Sequence, residues 1–155
     1  RFFAGEPLFP FGFGLSYTQF AYSKLSVPKQ SNVGDAVKVS VDVANTGDKT
    51  GEEVVELYVK ARFEPGAAKW RAPIRSLQGF RRIALAPKEH KTVEFTLSAK
   101  QLAHASASGE WMADPGVYEI SLGGKQPGFT GPLDAATTGV VSANLQVTGA
   151  GKRVH

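Results

Sequence analysis

The 155-residue chain has no cysteine, and its single methionine, Met112, is internal. The first absence excludes a disulfide framework, a thiol nucleophile and any cysteine-ligated metal. The chain opens at Arg1-Phe2-Phe3 rather than at a methionine, and is expected to be a piece of a longer protein. No apolar run approaches the ~18–20 residues a membrane-spanning helix needs, and no signal-peptide pattern is visible. Histidine is scarce: His90, His104 and His155 lie far apart and match no metal-binding spacing. No cofactor and no metal are expected, and no membrane partner.

Charge is modest, with a formal net charge of +4. It is unevenly spread: residues 60–91 carry nine Lys/Arg against Glu64 and Glu89, a local +7. The charges are distributed over several expected elements and no nucleic-acid motif accompanies them, so no nucleic-acid partner is expected. A solvated face with contacts to a neighbouring acidic surface accounts for them.

What the chain does have is period two. Val37, Val39, Val41 and Val43 alternate with Lys38, Ser40 and Asp42, the pattern of a strand with one buried and one wet face. Val55, Leu57, Val59, Ala61 and Phe63 share one face of the next run, with Val54, Glu56, Tyr58 and Lys60 on the other. Both faces of that strand are expected to be partly covered. Val93, Phe95 and Leu97 alternate next, then Tyr118, Ile120 and Leu122, then Ala143, Leu145 and Val147. Weaker strands are expected at 19–27, 77–85 and 109–113. Asn45-Thr46-Gly47-Asp48 and Asp114-Pro115-Gly116 supply the residues that turns favour. The one helical candidate is 98–105, where Ser98 can cap a turn or so of helix. Short strands, frequent turns and almost no helix predict an all-β, immunoglobulin-like or fibronectin type III-like β-sandwich of seven to eight strands.

Two segments stand outside this pattern. Residues 1–17 form an aromatic arm interrupted by proline and glycine, PLFPFGFGLSY at its centre. Residues 124–138, GKQPGFTGPLDAATT, form a Gly/Pro/Thr-rich excursion before the last strand. The sandwich is expected over 18–148, with a frayed tail at 149–155.

Four motifs in register carry a resemblance. PLFPFGFGLSYTQFAYS resembles the Pro-Phe-Gly-x-Gly-Leu-Ser-Tyr segment of family-3 glycoside hydrolases, the β-glucosidase and β-xylosidase family. VANTGDKTGEEVVELYV resembles that family's Asn-Thr-Gly…Gly-x-Glu-Val-x-x-Leu-Tyr strand pair. PIRSLQGFRRIALAPKE resembles its Leu-x-Gly-Phe…Leu-x-Pro-Gly-Glu element, with Lys88 where glycine is usual. GEWMADPGVYEISLGG resembles its Trp…Pro-Gly-x-Tyr ending. The match spans roughly residues 2–148. The resemblance implies a C-terminal fibronectin type III-like domain whose partners are the catalytic domains of a parent glycosidase acting on β-linked glucosides or xylosides. It places the nucleophile and the acid/base residue outside this domain. Phe9, Phe11, Phe13, Leu15 and Tyr17 are then an interdomain arm, residues that cover a neighbouring domain or one sheet of this one.

Retaining glycoside hydrolysis needs two carboxylates ~5–5.5 Å apart flanking one bond. Glu53 resembles the family's recurrent strand-start acid and is expected to be structural. Glu56 and Asp42 are placed on wet faces, and Asp35, Asp48 and Asp114 in turns. Ser16 lies in no nucleophile elbow, and Gly12-Phe13-Gly14 is no phosphate loop. The loop 61–73 is the best functional candidate: Arg62, Phe63, Lys69, Trp70 and Arg71 could stack on sugars, fork hydrogen bonds or dock the domain. Trp111, before the Pro-Gly turn, is expected in the core. The alternative to an accessory domain is an independent carbohydrate- or polymer-binding module with polysaccharide as partner, and a third reading is a cell-surface adhesion sandwich.

Overall fold

The computed structural model describes residues 8–14, 16–62, 75–106, 108–129, 131 and 133–154. Among these are eleven strands, seven of them seven residues or longer: β1 (Phe20–Ser26), β3 (Val37–Asn45), β4 (Gly51–Arg62), β5 (Ser76–Leu85), β6 (His90–Leu97), β9 (Gly116–Gly123) and β10 (Val140–Thr148). The short ones are β2 (Gln30–Asn32), β7 (His104–Ala105), β8 (Trp111–Ala113) and β11 (Lys152–Arg153). One sheet has the order β1-β3-β6 and the facing sheet β2-β10-β9-β4-β5; a small third sheet has the order β11-β8-β7. All pairings are antiparallel except β2 with β10. The expected sandwich is what forms.

The core follows from alternation. Val37, Val39, Val41 and Val43 of β3 meet Val55, Leu57 and Val59 of β4, with Tyr118, Ile120 and Leu122 of β9 and Leu145 and Val147 of β10. Valine is stiff at χ1 and fits a pleated, half-buried surface, so four at alternate positions specify both strand and facing. On the other face of the three-stranded sheet the residues are polar. There Asp42 accepts a hydrogen bond from Thr92 Oγ1 at 2.6 Å and pairs with Lys24 at 3.1 Å.

The turn after β3 is organised by a buried amide. Asn45 Nδ2 donates to the carbonyls of Lys49 (2.8 Å) and Leu85 (3.1 Å). Its Oδ1 accepts from Thr18 Oγ1 at 2.6 Å and from Gly47 N at 3.1 Å. Thr18 in turn sits in a notch where a Cβ on Gly47 would lie 2.1 Å from its hydroxyl and one on Gly51 2.5 Å from its methyl. The Asn-Thr-Gly…Gly pattern is therefore a socket for Thr18. Lys88, which stands where the resembled family has glycine, adopts the left-handed backbone at φ 62°. Its Nζ donates to the Thr46 carbonyl at 2.6 Å, tying the 86–89 turn to the same corner.

The helical candidate at 98–105 forms the single turn expected after Ser98: Ala99–Leu102 wind as one 3-10 turn, and Ala103 is already extended before β7. Two expectations are corrected. Trp111 is not core; β8 belongs to the small third sheet and leaves the indole 47% exposed. Lys152 and Arg153, in the stretch expected to fray, pair with Ala113 and Met112. Phe63 lies outside the described residues.

Replacing Asn45 with alanine leaves the buried Thr18 hydroxyl without its Asn45 partner and removes the side-chain donor to the Leu85 and Lys49 carbonyls. Urea unfolding is expected to show a loss of about 3 kcal/mol, the scale of leaving several buried polar groups unsatisfied. A loss below about 0.5 kcal/mol, the range of ordinary surface substitutions, would refute the socket.

Candidate interdomain face

The five-stranded sheet presents its second face to the arm rather than to open solvent. On β4 this face carries Glu52, Val54, Glu56, Tyr58, Lys60 and Arg62, because Val55, Leu57 and Val59 point into the core. Glu56, expected on a wet face, is only 5% exposed, and Tyr58 is equally buried. The cause is the arm. Gly12 lies directly over the Glu56 carboxylate at φ 81°, and a Cβ there would come within 2.8 Å of Glu56 Oε1. Glycine is thus required twice at this position, by backbone conformation and by space.

Around Gly12 the arm is held by its own turn and by the excursion. Phe13 N donates to the Pro10 carbonyl at 3.1 Å, and Gln126 N to the Phe11 carbonyl at 2.9 Å. Phe9 and Phe13 pack ring against ring with centroids 4.6 Å apart. Phe9, Phe11 and Tyr17 nonetheless remain exposed, Tyr17 almost fully, with the Lys49 ammonium 6.0 Å from its ring centre. Leu15 lies outside the described residues.

Next to the arm the sheet itself is apolar and uncovered. A bulge in β5 pairs Leu57 with Gly79 and Tyr58 with Leu77, so Gln78 is the extra residue. That irregularity leaves Leu77 and Phe80 on the outer face, opposite Tyr58 and Glu56. Phe80 is 68% exposed, and Leu77 and Val54 are exposed beside it. A cleft of about 280 Å³ lies between arm and sheet, lined by Phe11, Tyr58, Arg75, Leu77 and Gln126.

The carboxylates of β4 are engaged rather than aimed at open space. Glu53 accepts hydrogen bonds from Thr138 Oγ1 at 2.8 Å and from Val54 N at 2.9 Å. Burial raises its carboxyl above the ordinary range, those hydrogen bonds offset part of the rise, and the nearby Glu56 charge adds to it. Burial likewise raises Glu56, partly offset by the hydrogen bond from Tyr58 Oη at 2.9 Å. The two side chains belong to opposite faces of β4, which is not the arrangement of a pair flanking one glycosidic bond. Asp114 builds its turn: the Tyr118 hydroxyl donates to its carbonyl at 2.7 Å, and burial pushes that phenol up to about 12.

Of the candidate loop, Arg62 closes β4 and pairs with Glu119; Phe63, Lys69, Trp70 and Arg71 lie outside the described residues. Alternation missed the residues that complete this face. Leu77 and Phe80 are three apart and share a face only because of the bulge. Arg75, Glu119 and Gln126 meet from distant parts of the chain.

Comparison with known proteins agrees with this architecture. The family described as the fibronectin type III-like domain matches residues 53–126. The chain is 43% identical over 121 residues to thermostable β-glucosidase B of Acetivibrio thermocellus, covering 76% of this chain and 15% of that protein. It is 42% identical over 127 residues to a β-xylosidase of Formosa agariphila, covering 79% and 17%. Among solved structures it superposes on a β-glucosidase of Erythrobacter marinus with a TM-score of 0.78 at 30% identity, covering 95% of this chain and 18% of that one. The β-glucosidase of Listeria innocua in complex with glucose gives 0.75 at 28%, covering 91% and 18%. The chain belongs to the fibronectin type III-like domains found in family-3 β-glucosidases and β-xylosidases. It spans about one-sixth of the length of these relatives.

The raised Glu56 gives a signed expectation. A carboxyl whose folded value lies above the unfolded 4.5 contributes stability that is full below 4.5 and is lost as the pH rises through the folded value. Glu56→Gln keeps an acceptor for Tyr58 and cannot ionise. The variant is expected to be more stable than the parent chain at pH 8 and equal to it at pH 4, read from urea curves at the two pH values. A constant offset across that range would mean that Glu56 is not desolvated by the arm.

Proposed function

We propose that this chain is a non-catalytic accessory domain that docks on the catalytic domains of a family-3 β-glycosidase and stabilises them. The parent enzyme in this reading hydrolyses β-linked glucosides or xylosides, as the named relatives' descriptions suggest. In this reading residues 1–17 are the connecting arm, residues 18–148 the sandwich, and loop 61–73 contributes to the active-site entrance or to docking.

One observation carries the reading: the two sheets have unlike outer faces. The outer face of the three-stranded sheet is hydrated and charged. The outer face of the five-stranded sheet is half-covered by the arm and carries Phe11, Leu77, Phe80 and Val54 exposed together. Contiguous exposed apolar area of this kind marks an interaction surface. The carboxylates of β4 are spent on internal hydrogen bonds, which supports the assignment of bond cleavage to the parent's other domains.

Phe80→Asp separates docking from folding. Phe80 makes little contact within the domain, so the isolated chain is expected to keep its thermal midpoint. The full-length enzyme is expected to melt a few degrees lower, because a charge then faces the interface. Unchanged melting of the full-length enzyme would count against docking through this face. Retention of the isolated chain on insoluble xylan or cellulose at high salt would instead favour the carbohydrate-binding alternative.

A further inference from the structure

Glu119 lies on the outer face of β9, opposite Lys60 of β4. It takes one guanidinium on each carboxylate oxygen. Arg62, the last residue of β4, bonds Oε2, and Arg75, immediately before β5, bonds Oε1 at 3.2 Å. The two arginines bracket the twelve residues 63–74. A single side chain from a third strand therefore spans the loop end of the β4–β5 hairpin.

The Arg75 side of this arrangement leads further. Its Nη1 donates to the Pro127 carbonyl at 2.5 Å. The preceding residue, Gln126, donates its backbone N–H to the Phe11 carbonyl, and its Oε1 faces Phe11 N at 3.5 Å. A continuous polar path thus runs from Arg62 through Glu119 and Arg75 to the excursion and the arm. Its links join residues 57, 44, 52 and 115 positions apart.

Exposure separates this path from an ordinary surface ion pair. The side chains of Arg75 and Glu119 are only 15% and 16% exposed, whereas Arg62 is 57% exposed. Exposed pairs contribute little because water screens them and two long side chains must be ordered. A largely buried guanidinium that divides its two Nη groups between the Glu119 carboxylate and the Pro127 carbonyl fixes geometry far more strongly. The guanidinium is held here even though its Nε is buried without an acceptor among the described residues. Burial alone would raise the Glu119 carboxyl, but the hydrogen bonds from Arg62 and Arg75 hold it below its ordinary range.

We propose that Glu119 is a positioning residue: through Arg62 and Arg75 it sets the spacing of the β4 and β5 ends, and through Arg75 it seats the excursion and the arm, so that the docking face is aligned as one unit. This rests on the reading of that face as a docking surface. It adds a polar residue of that face, apart from the exposed apolar side chains, that determines their arrangement.

Amide hydrogen exchange on the 155-residue chain tests it, using Glu119→Gln and, separately, Arg75→Lys, which keeps the charge and loses the fork. Both variants are expected to exchange the Gln126 amide about tenfold faster, the effect of losing roughly one charge-assisted hydrogen bond. Amides in the arm around Phe13 are expected to follow, while the core amides of Val59 and Ile120 keep their wild-type rates. Arg62→Ala, on the exposed side, is expected to leave Gln126 protection nearly unchanged. Unaltered Gln126 exchange in both of the first two variants would overturn the proposal. So would equal acceleration throughout the chain, or unfolding of both variants, since either makes Glu119 a general stabiliser. These readouts concern the chain alone, so they fail or succeed independently of the melting of the full-length Phe80→Asp enzyme.

Discussion

The four hydrogen bonds of the Asn45 amide are the constraint on which the rest of the domain depends. A buried side-chain amide is tolerated only when its donors and acceptor are met. Meeting them here fixes the 45–51 turn, the end of β5 and the hydroxyl of Thr18 relative to one another. Thr18 is where the arm enters β1. Its seat between Gly47 and Gly51 decides the direction from which the arm arrives, and hence that Gly12 reaches the outer face of β4. The corner of one sheet thus governs how the far side of the other is dressed.

That dressing gives the two sheets different characters. Along β3 the non-core positions are lysine, serine and aspartate, solvated and paired locally. Along β4 the equivalent positions include a carboxyl and a phenol removed from water, both pushed above their ordinary ranges by burial. The face thus buries a glutamate under the chain's own arm while leaving a phenylalanine in solvent. The arm and the bulged β5 together present aromatic and aliphatic side chains at one level, and the 280 Å³ cleft between them is their junction.

The sandwich was legible in the sequence because its signal is local. Four valines at alternate positions in β3, and the tyrosine–isoleucine–leucine series in β9, state period and facing within a single run. The motif glycines were legible too, and the socket explains why Asn45, Gly47 and Gly51 travel together. What failed was whatever depends on a neighbour far along the chain. Glu56 reads as a solvent-facing residue until a glycine 44 positions earlier covers it. Trp111 reads as core until β8 proves to belong to a sheet of two- and three-residue strands that leaves it half exposed. The family pattern flagged Lys88 as unusual, and its left-handed backbone gives the physical reason glycine is otherwise found there. Glu119 gave no signal, since its meaning comes from two arginines outside its own strand.

The Glu119 bridge also bears on the order in which the chain assembles. An ordinary hairpin closes from its own turn outward, within microseconds and without help. Here the loop end of β4 and β5 is braced by a strand 57 residues downstream of Arg62, so the brace can form only after β9 has joined β4. Long-range closure of this sort is slow because chain entropy is lost before the contact is gained. The Glu119 brace is therefore a contact that completes the hairpin rather than one that starts it.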